Sequence, residues 1–138
     1  MSVIVVDASV AVKWFLAESE ADLALNVLSE GDPVAAPALL KVETAAAITR
    51  RHRMAGLTRE QAQDRLARSA ALFASASIVF VADDELLPRA AQIALDLCHP
   101  LQDCLYIACA ERAGGELITV DQTLLQRSQS LFPFVRRL

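Results

Sequence analysis

The sequence is poor in the residues that build covalently stapled or metal-stapled folds. It has three cysteines, Cys98, Cys104 and Cys109, and no CxxC pair. That odd count argues against a disulfide framework and against structural zinc. Read as small core hydrophobes, the thiols fit a reducing compartment, and the expected location is the cytoplasm. The two histidines, His52 and His99, show no metal-ligand spacing between them. Glycine is scarce, with four residues, and neither a GxGxxG fingerprint nor a P-loop occurs, which disfavours a nucleotide-dependent enzyme. Lysine is confined to Lys13 and Lys41, so arginine, with its planar fork for phosphate, supplies the other basic residues. Ala70 to Ala82, the longest weakly polar stretch, is broken by Ser75 and Ser77 and falls short of the roughly 20 residues of a membrane span. The opening MSVIVVDAS lacks a basic region and reads as a buried strand rather than a secretory leader.

What is present is apolar surface. The 138 residues are 54% hydrophobic and 22% charged, enough to offset chain entropy in one domain, residues 1–138, and to exclude a disordered linker. The net charge of −4 disfavours a nonspecific nucleic-acid binder. If four acids belong to a metal site, however, the remaining acids only match the 13 basic residues in number, and divalent ions make the local field positive.

Hydrophobic patterning alternates strands with helices. Val3–Val6 is a β-branched run suited to burial on both faces. Asp7-Ala8-Ser9 offers caps to a helix through about Leu16, and Glu20–Leu28 has an apolar stripe at helical spacing. Val34–Ala36 is a short strand, and Pro37 starts a helix that ends by Gly56. Thr58 and Gln61 form a capping box for a helix to about Ala74. Ile78–Val81 is a buried strand, and Asp83–Glu85 begin a helix to about Leu97. Pro100 opens a helix closed by Gly114-Gly115. Leu117–Val120 is a strand, Thr123–Gln129 a short helix, and Phe132–Val135 a final edge strand. Such βα units predict a three-layer α/β/α sandwich around a mainly parallel sheet of about five strands.

Four acids stand out. Asp7 and Asp121 each follow a buried strand directly, Glu43 lies in an otherwise apolar helical segment, and Asp103 falls in the first turns of its helix. In a parallel sheet, ligands bind beyond the carboxyl ends of the strands. Each acid also has an ordinary role: Asp7 and Asp121 as helix caps, Asp103 as a dipole complement, Glu43 as a solvated side chain. Together they can converge at one sheet edge, where like charges repel unless a cation neutralises them. All-oxygen donors select Mg²⁺, with Mn²⁺ able to substitute, rather than zinc. Such ions lower the pKa of bound water and stabilise charge in phosphodiester hydrolysis.

The stretches VIVVDASVAVKWFL, PALLKVETAAAI and HPLQDCLYIACAERAGGELITVDQTL make the chain resemble PIN-domain ribonucleases, most closely the VapC-type toxins of bacterial toxin–antitoxin pairs. The resemblance runs over essentially the whole chain, and the order Asp, Glu, Asp, Asp is complete. It implies that Asp7, Glu43, Asp103 and Asp121 hold one or two Mg²⁺ ions, with Ser9 and Thr119 supporting them through hydrogen bonds. It also implies an endoribonuclease acting on single-stranded or loop RNA, a homodimer, and inhibition by a cognate antitoxin.

Arg50, Arg51 and Arg53 are candidate RNA contacts at the end of the Glu43 helix, although cations there also suit the helix dipole. Arg112 and Arg136-Arg137 are weaker candidates of the same kind, and the Asp83-Asp84-Glu85 run reads as a helix start. The Trp14-Phe15-Leu16 cluster reads as core. A catalytically silent PIN-like module for RNA or protein binding is the alternative. A phosphotransfer fold fits less well: the phosphatase aspartate position is Ser9, and no lysine follows Lys41.

Overall fold

A computed structural model describes residues 2–138. Among them, five strands form one parallel sheet in the order β3-β2-β1-β4-β5. They are β1 (Ile4–Val6), β2 (Val34–Pro37), β3 (Ile78–Val81), β4 (Glu116–Thr119) and β5 (Val135–Arg137). The connecting helices are α1 (Ala8–Ala11), α2 (Ala21–Ser29), α3 (Leu39–Arg53), α4 (Arg59–Ala74), α5 (Asp83–Leu97), α6 (Leu101–Ala113) and α7 (Gln122–Ser128). Right-handed crossovers put α1–α4 on one face of this strand order and α5–α7 on the other, which is the expected α/β/α sandwich.

Burial follows the residue types. Every residue of β1 and β2 is buried, as sheets covered on both faces require. In α6, Cys104 through Ala110 are all buried. A helix apolar all round belongs in the core, and α6 packs against α5, β1, β2 and β4. Because the chain goes from β1 to β2 on one side and returns through β4 on the other, the β1/β4 boundary is the topological switch point. Ligand crevices open at such points, beyond the strands' carboxyl ends.

Several boundaries differ from the sequence expectation. The first helix is only α1 followed by a 3-10 turn, Val12–Trp14. Phe15 and Leu16 are buried and Trp14 is half-buried, its indole Nε1 donating to the Ala24 carbonyl at 2.8 Å. Pro37 ends β2 instead of opening α3: it pairs with Val81, where the missing N–H is tolerated, and Ala38 N returns to Val81 O. Asp83 is a cap for a different helix than expected, its Oδ1 accepting from Leu39 N of α3 at 3.0 Å. The strand Ile78–Val81 is as predicted in extent, but it is an edge strand with Val79 62% exposed. Phe132–Phe134 form a turn rather than a strand. Phe132 N donates to Ser128 O and Val135 N to Phe132 O, and the two rings meet edge-on, so the ladder starts at Val135. Cys104 and Cys109 are buried, their thiols pushed by burial up to about 11, whereas Cys98 is exposed and no part of the core.

Candidate active site

The carboxyl ends of β1 and β4 are tied together by one carboxylate and two hydroxyls. Asp7, directly after β1, is 5% exposed. It receives Ser9 Oγ on Oδ1 and Thr119 Oγ1 on Oδ2, both at 2.5 Å, and Val10 N on Oδ1 at 3.3 Å as the cap of α1. Each hydroxyl then accepts a backbone N–H from the end of β4: Val120 N on Ser9 at 3.1 Å and Asp121 N on Thr119 at 3.0 Å. Burial pushes the Asp7 carboxyl up to about 6. The hydrogen bonds oppose that shift and the charge of Asp103 adds to it.

Glu43 reaches the same edge from α3. Its Oε1 accepts from the hydroxyl of Tyr106, a fully buried side chain of α6, at 2.5 Å. Burial raises the Glu43 carboxyl above its usual range against that hydrogen bond, and the charges of Asp103 and Asp83 raise it further. Burial, the Glu43 bond and the surrounding carboxylates push the Tyr106 phenol upward, so it stays a donor. Asp103, in the first turn of α6, is paired through Oδ2 with His99 Nε2 at 2.6 Å. Asp7, Glu43 and Asp103 therefore form one electrostatic group drawn from a strand end and two helices. Asp121 adjoins it through its backbone, while its side chain caps α7 by accepting Leu124 N at 3.1 Å.

Among the described residues, no three Asp, Glu, His or Cys side chains stand close enough to hold an ion as they are. The donor chemistry nevertheless fits a hard divalent cation. Glu43, Asp103 and Asp121 each keep a second carboxylate oxygen with no donor among the described residues. Raised carboxyls and like charges facing one another are the condition a cation relieves.

Two residues at this edge were not singled out for it. Tyr106 and His99 hold Glu43 and Asp103. The available signals were helical spacing from Asp103, at i+3 and i−4 respectively. Of the basic candidates, Arg50 and Arg53 are exposed, and Arg51 is paired with Glu18 at 2.9 Å. Glu18 also meets the buried Lys13 at 3.4 Å. Arg112, Arg136 and Arg137 are engaged with Glu85, Glu116 and Glu20. A cavity of about 270 Å³ lies along α3 between Leu16, Glu18, Ala47, Arg50, Arg51 and Met54. A second, of about 420 Å³, lies between α3 and α4 beside Lys41, Leu66 and Phe73.

A parallel sheet with a buried aspartate at its switch point and further carboxylates around it defines an acidic-site α/β protein. Residues 4–128 match the family model described as PIN domain, and the chain belongs to that family. No curated protein matches it in sequence. Three solved structures share the fold. A toxin–antitoxin complex from Klebsiella pneumoniae is 16% identical, with TM-score 0.69 over 96% of this chain and 95% of that one. PAE2754 from Pyrobaculum aerophilum is 20% identical, with TM-score 0.70 over 93% and 81%. VapBC2 from Rickettsia felis, bound to a DNA fragment from its promoter, is 12% identical, with TM-score 0.64 over 99% and 98%. No helix among the described residues is long and apolar enough to cross a membrane.

Proposed function

We propose that the chain is a Mg²⁺-dependent endoribonuclease and the toxin of a VapBC-type toxin–antitoxin pair, acting as a homodimer in the cytoplasm. Asp7, Glu43, Asp103 and Asp121 would hold the ions, with Mn²⁺ able to replace Mg²⁺. The observation that carries this reading is the buried Asp7 at the switch point, with its carboxyl raised and the charge of Asp103 acting on both it and Glu43. Membership of the PIN family supports a nuclease. The likeness of fold to toxin–antitoxin proteins supports the toxin reading and an antitoxin partner.

When bound, divalent ions supply an activated water and charge stabilisation for an in-line displacement at phosphorus. The protein's own part is arrangement. Ser9 and Thr119 hold both oxygens of Asp7 in place. Tyr106 and His99 orient Glu43 and Asp103 while each leaves one oxygen free. Arg50 lies seven residues beyond Glu43 on α3, about 10 Å along the helix axis at 1.5 Å per residue. From there Arg50 and Arg53 can meet phosphates of a single-stranded or loop RNA, and Arg51 can do so on leaving Glu18.

One observation favours the catalytically silent module: every acid of the set already has a protein donor. A cleavage assay separates the two. With a mixed pool of structured RNAs and the antitoxin-free protein, Mg²⁺ should give discrete products that chelator abolishes and that Asp7→Asn and Asp103→Asn lose by at least 100-fold, on the order of the loss of one strong transition-state interaction. RNA binding without cleavage in Mg²⁺ or Mn²⁺ would move the assignment to the silent module.

A further inference from the structure

His99 has a side chain only 3% exposed, between two charged groups of opposite sign. On one side its Nε2 lies 2.6 Å from Asp103 Oδ2. On the other, its Nδ1 lies 3.4 Å from Nη1 of Arg127, which reaches in from α7 and also donates to the Cys98 carbonyl at 3.2 Å. The backbone fixes this placement. Cys98 ends α5 in the left-handed region, at φ 50, and both Cys98 N and His99 N return to the Ala94 carbonyl. Pro100 then starts α6, so that His99 faces Asp103 four residues on.

These neighbours determine where the imidazole hydrogen sits. A guanidinium has only N–H groups to offer, so the Nδ1 it faces presents a lone pair. A carboxylate only accepts, so Nε2 carries the hydrogen. We propose that His99, held in its Nε2–H form by Arg127, is a positioning residue for Asp103. It donates to Oδ2, fixes the plane of the carboxylate and leaves Oδ1 directed to a divalent cation. The bland alternative is a brace, in which the pair merely fastens the start of α6.

The inference rests on the cation-site reading above, so the test reports on each separately. Long-range ¹H–¹⁵N spectra of the metal-free full-length protein should show the His99 ring with a bare Nδ1 and a protonated Nε2. The reverse pattern overturns the proposal. Calorimetric Mn²⁺ titration should then give binding about 10- to 100-fold weaker in His99→Leu than in wild type, the usual cost of losing a partner behind a metal ligand. His99→Gln, which keeps an N–H donor at similar reach, should recover most of that loss. Arg127→Leu should let both tautomers appear and should weaken Mn²⁺ by a smaller factor. This variant carries the test if His99→Leu does not fold. A brace predicts a lower melting temperature in His99→Leu with unchanged Mn²⁺ affinity, and that result overturns the inference alone. Wild type that binds no Mn²⁺ overturns the cation site and this inference with it.

Discussion

Asp7 is a buried carboxylate with the charge of Asp103 acting on it, and the consequences can be measured without any substrate. Its carboxyl titrates near 6 when folded and near 4 in an unfolded chain. Between those values the folded state binds more protons, so metal-free stability falls as pH rises through the window, by roughly 3 kcal/mol for this group. The raised Glu43 acts in the same direction. Thermal unfolding in chelator from pH 4 to 7 should therefore show wild type losing stability relative to Asp7→Asn as pH rises. A constant difference between the two would contradict the burial argument. Asp103→Asn should raise the metal-free melting temperature as well, because it removes a charge acting on both Asp7 and Glu43. Thr119 tests the opposite dependence. Its fully buried hydroxyl donates to Asp7 and accepts from Asp121 N. Thr119→Val should cost about 1–3 kcal/mol by leaving both groups unsatisfied, whereas Thr119→Ser should cost much less. Chemical denaturation of the three proteins decides it. At this scale the sequence was legible where a residue broke its surroundings: an acid after VIVV or inside LLKVETAAAI needs a reason. His99 and Tyr106 broke no pattern, since a histidine before a helix and a tyrosine in an apolar helix look ordinary until the partner across the fold is known.

The elements read from the sequence held wherever a local device specifies them. The Thr58–Gln61 capping box is present in both directions and starts α4, and Gly114 in the left-handed region ends α6. Boundaries moved where tertiary contact decided. Pro37 fits either the first turn of a helix or the last position of a strand, and pairing with Val81 selects the strand. Asp83 fits its own helix or a neighbour's, and the open N-terminus of α3 takes it. Gly115 shows the same control from the other direction. A Cβ there would stand 2.1 Å from the Val3 carbonyl oxygen, in the turn where Glu116 N bonds that carbonyl. Gly115→Ala should force α6 and β4 away from β1 and cost about 1–3 kcal/mol, the range for overpacking. A melting temperature equal to wild type would show that the turn yields.

At the scale of the whole molecule, the alternation of strands and helices was enough to predict a parallel sheet in three layers. The strand order was not readable. Nothing local distinguishes β3, an edge strand, from the central β1, because both are short β-branched runs; only the return of the chain through β4 puts one at the edge and the other at the centre. That order brings Asp7, Glu43 and Asp103, far apart in sequence, into one electrostatic group at the carboxyl end of the sheet, with the backbone of Asp121 beside it. The central claim is that these acids act as one divalent-cation site. It is tested most directly by calorimetric titration of antitoxin-free protein with Mn²⁺, alone and with an RNA pool, comparing wild type with Asp7→Asn and Asp103→Asn. The account predicts saturable binding by wild type that both substitutions abolish. Binding that survives both substitutions, or no binding by wild type even with RNA present, would contradict it.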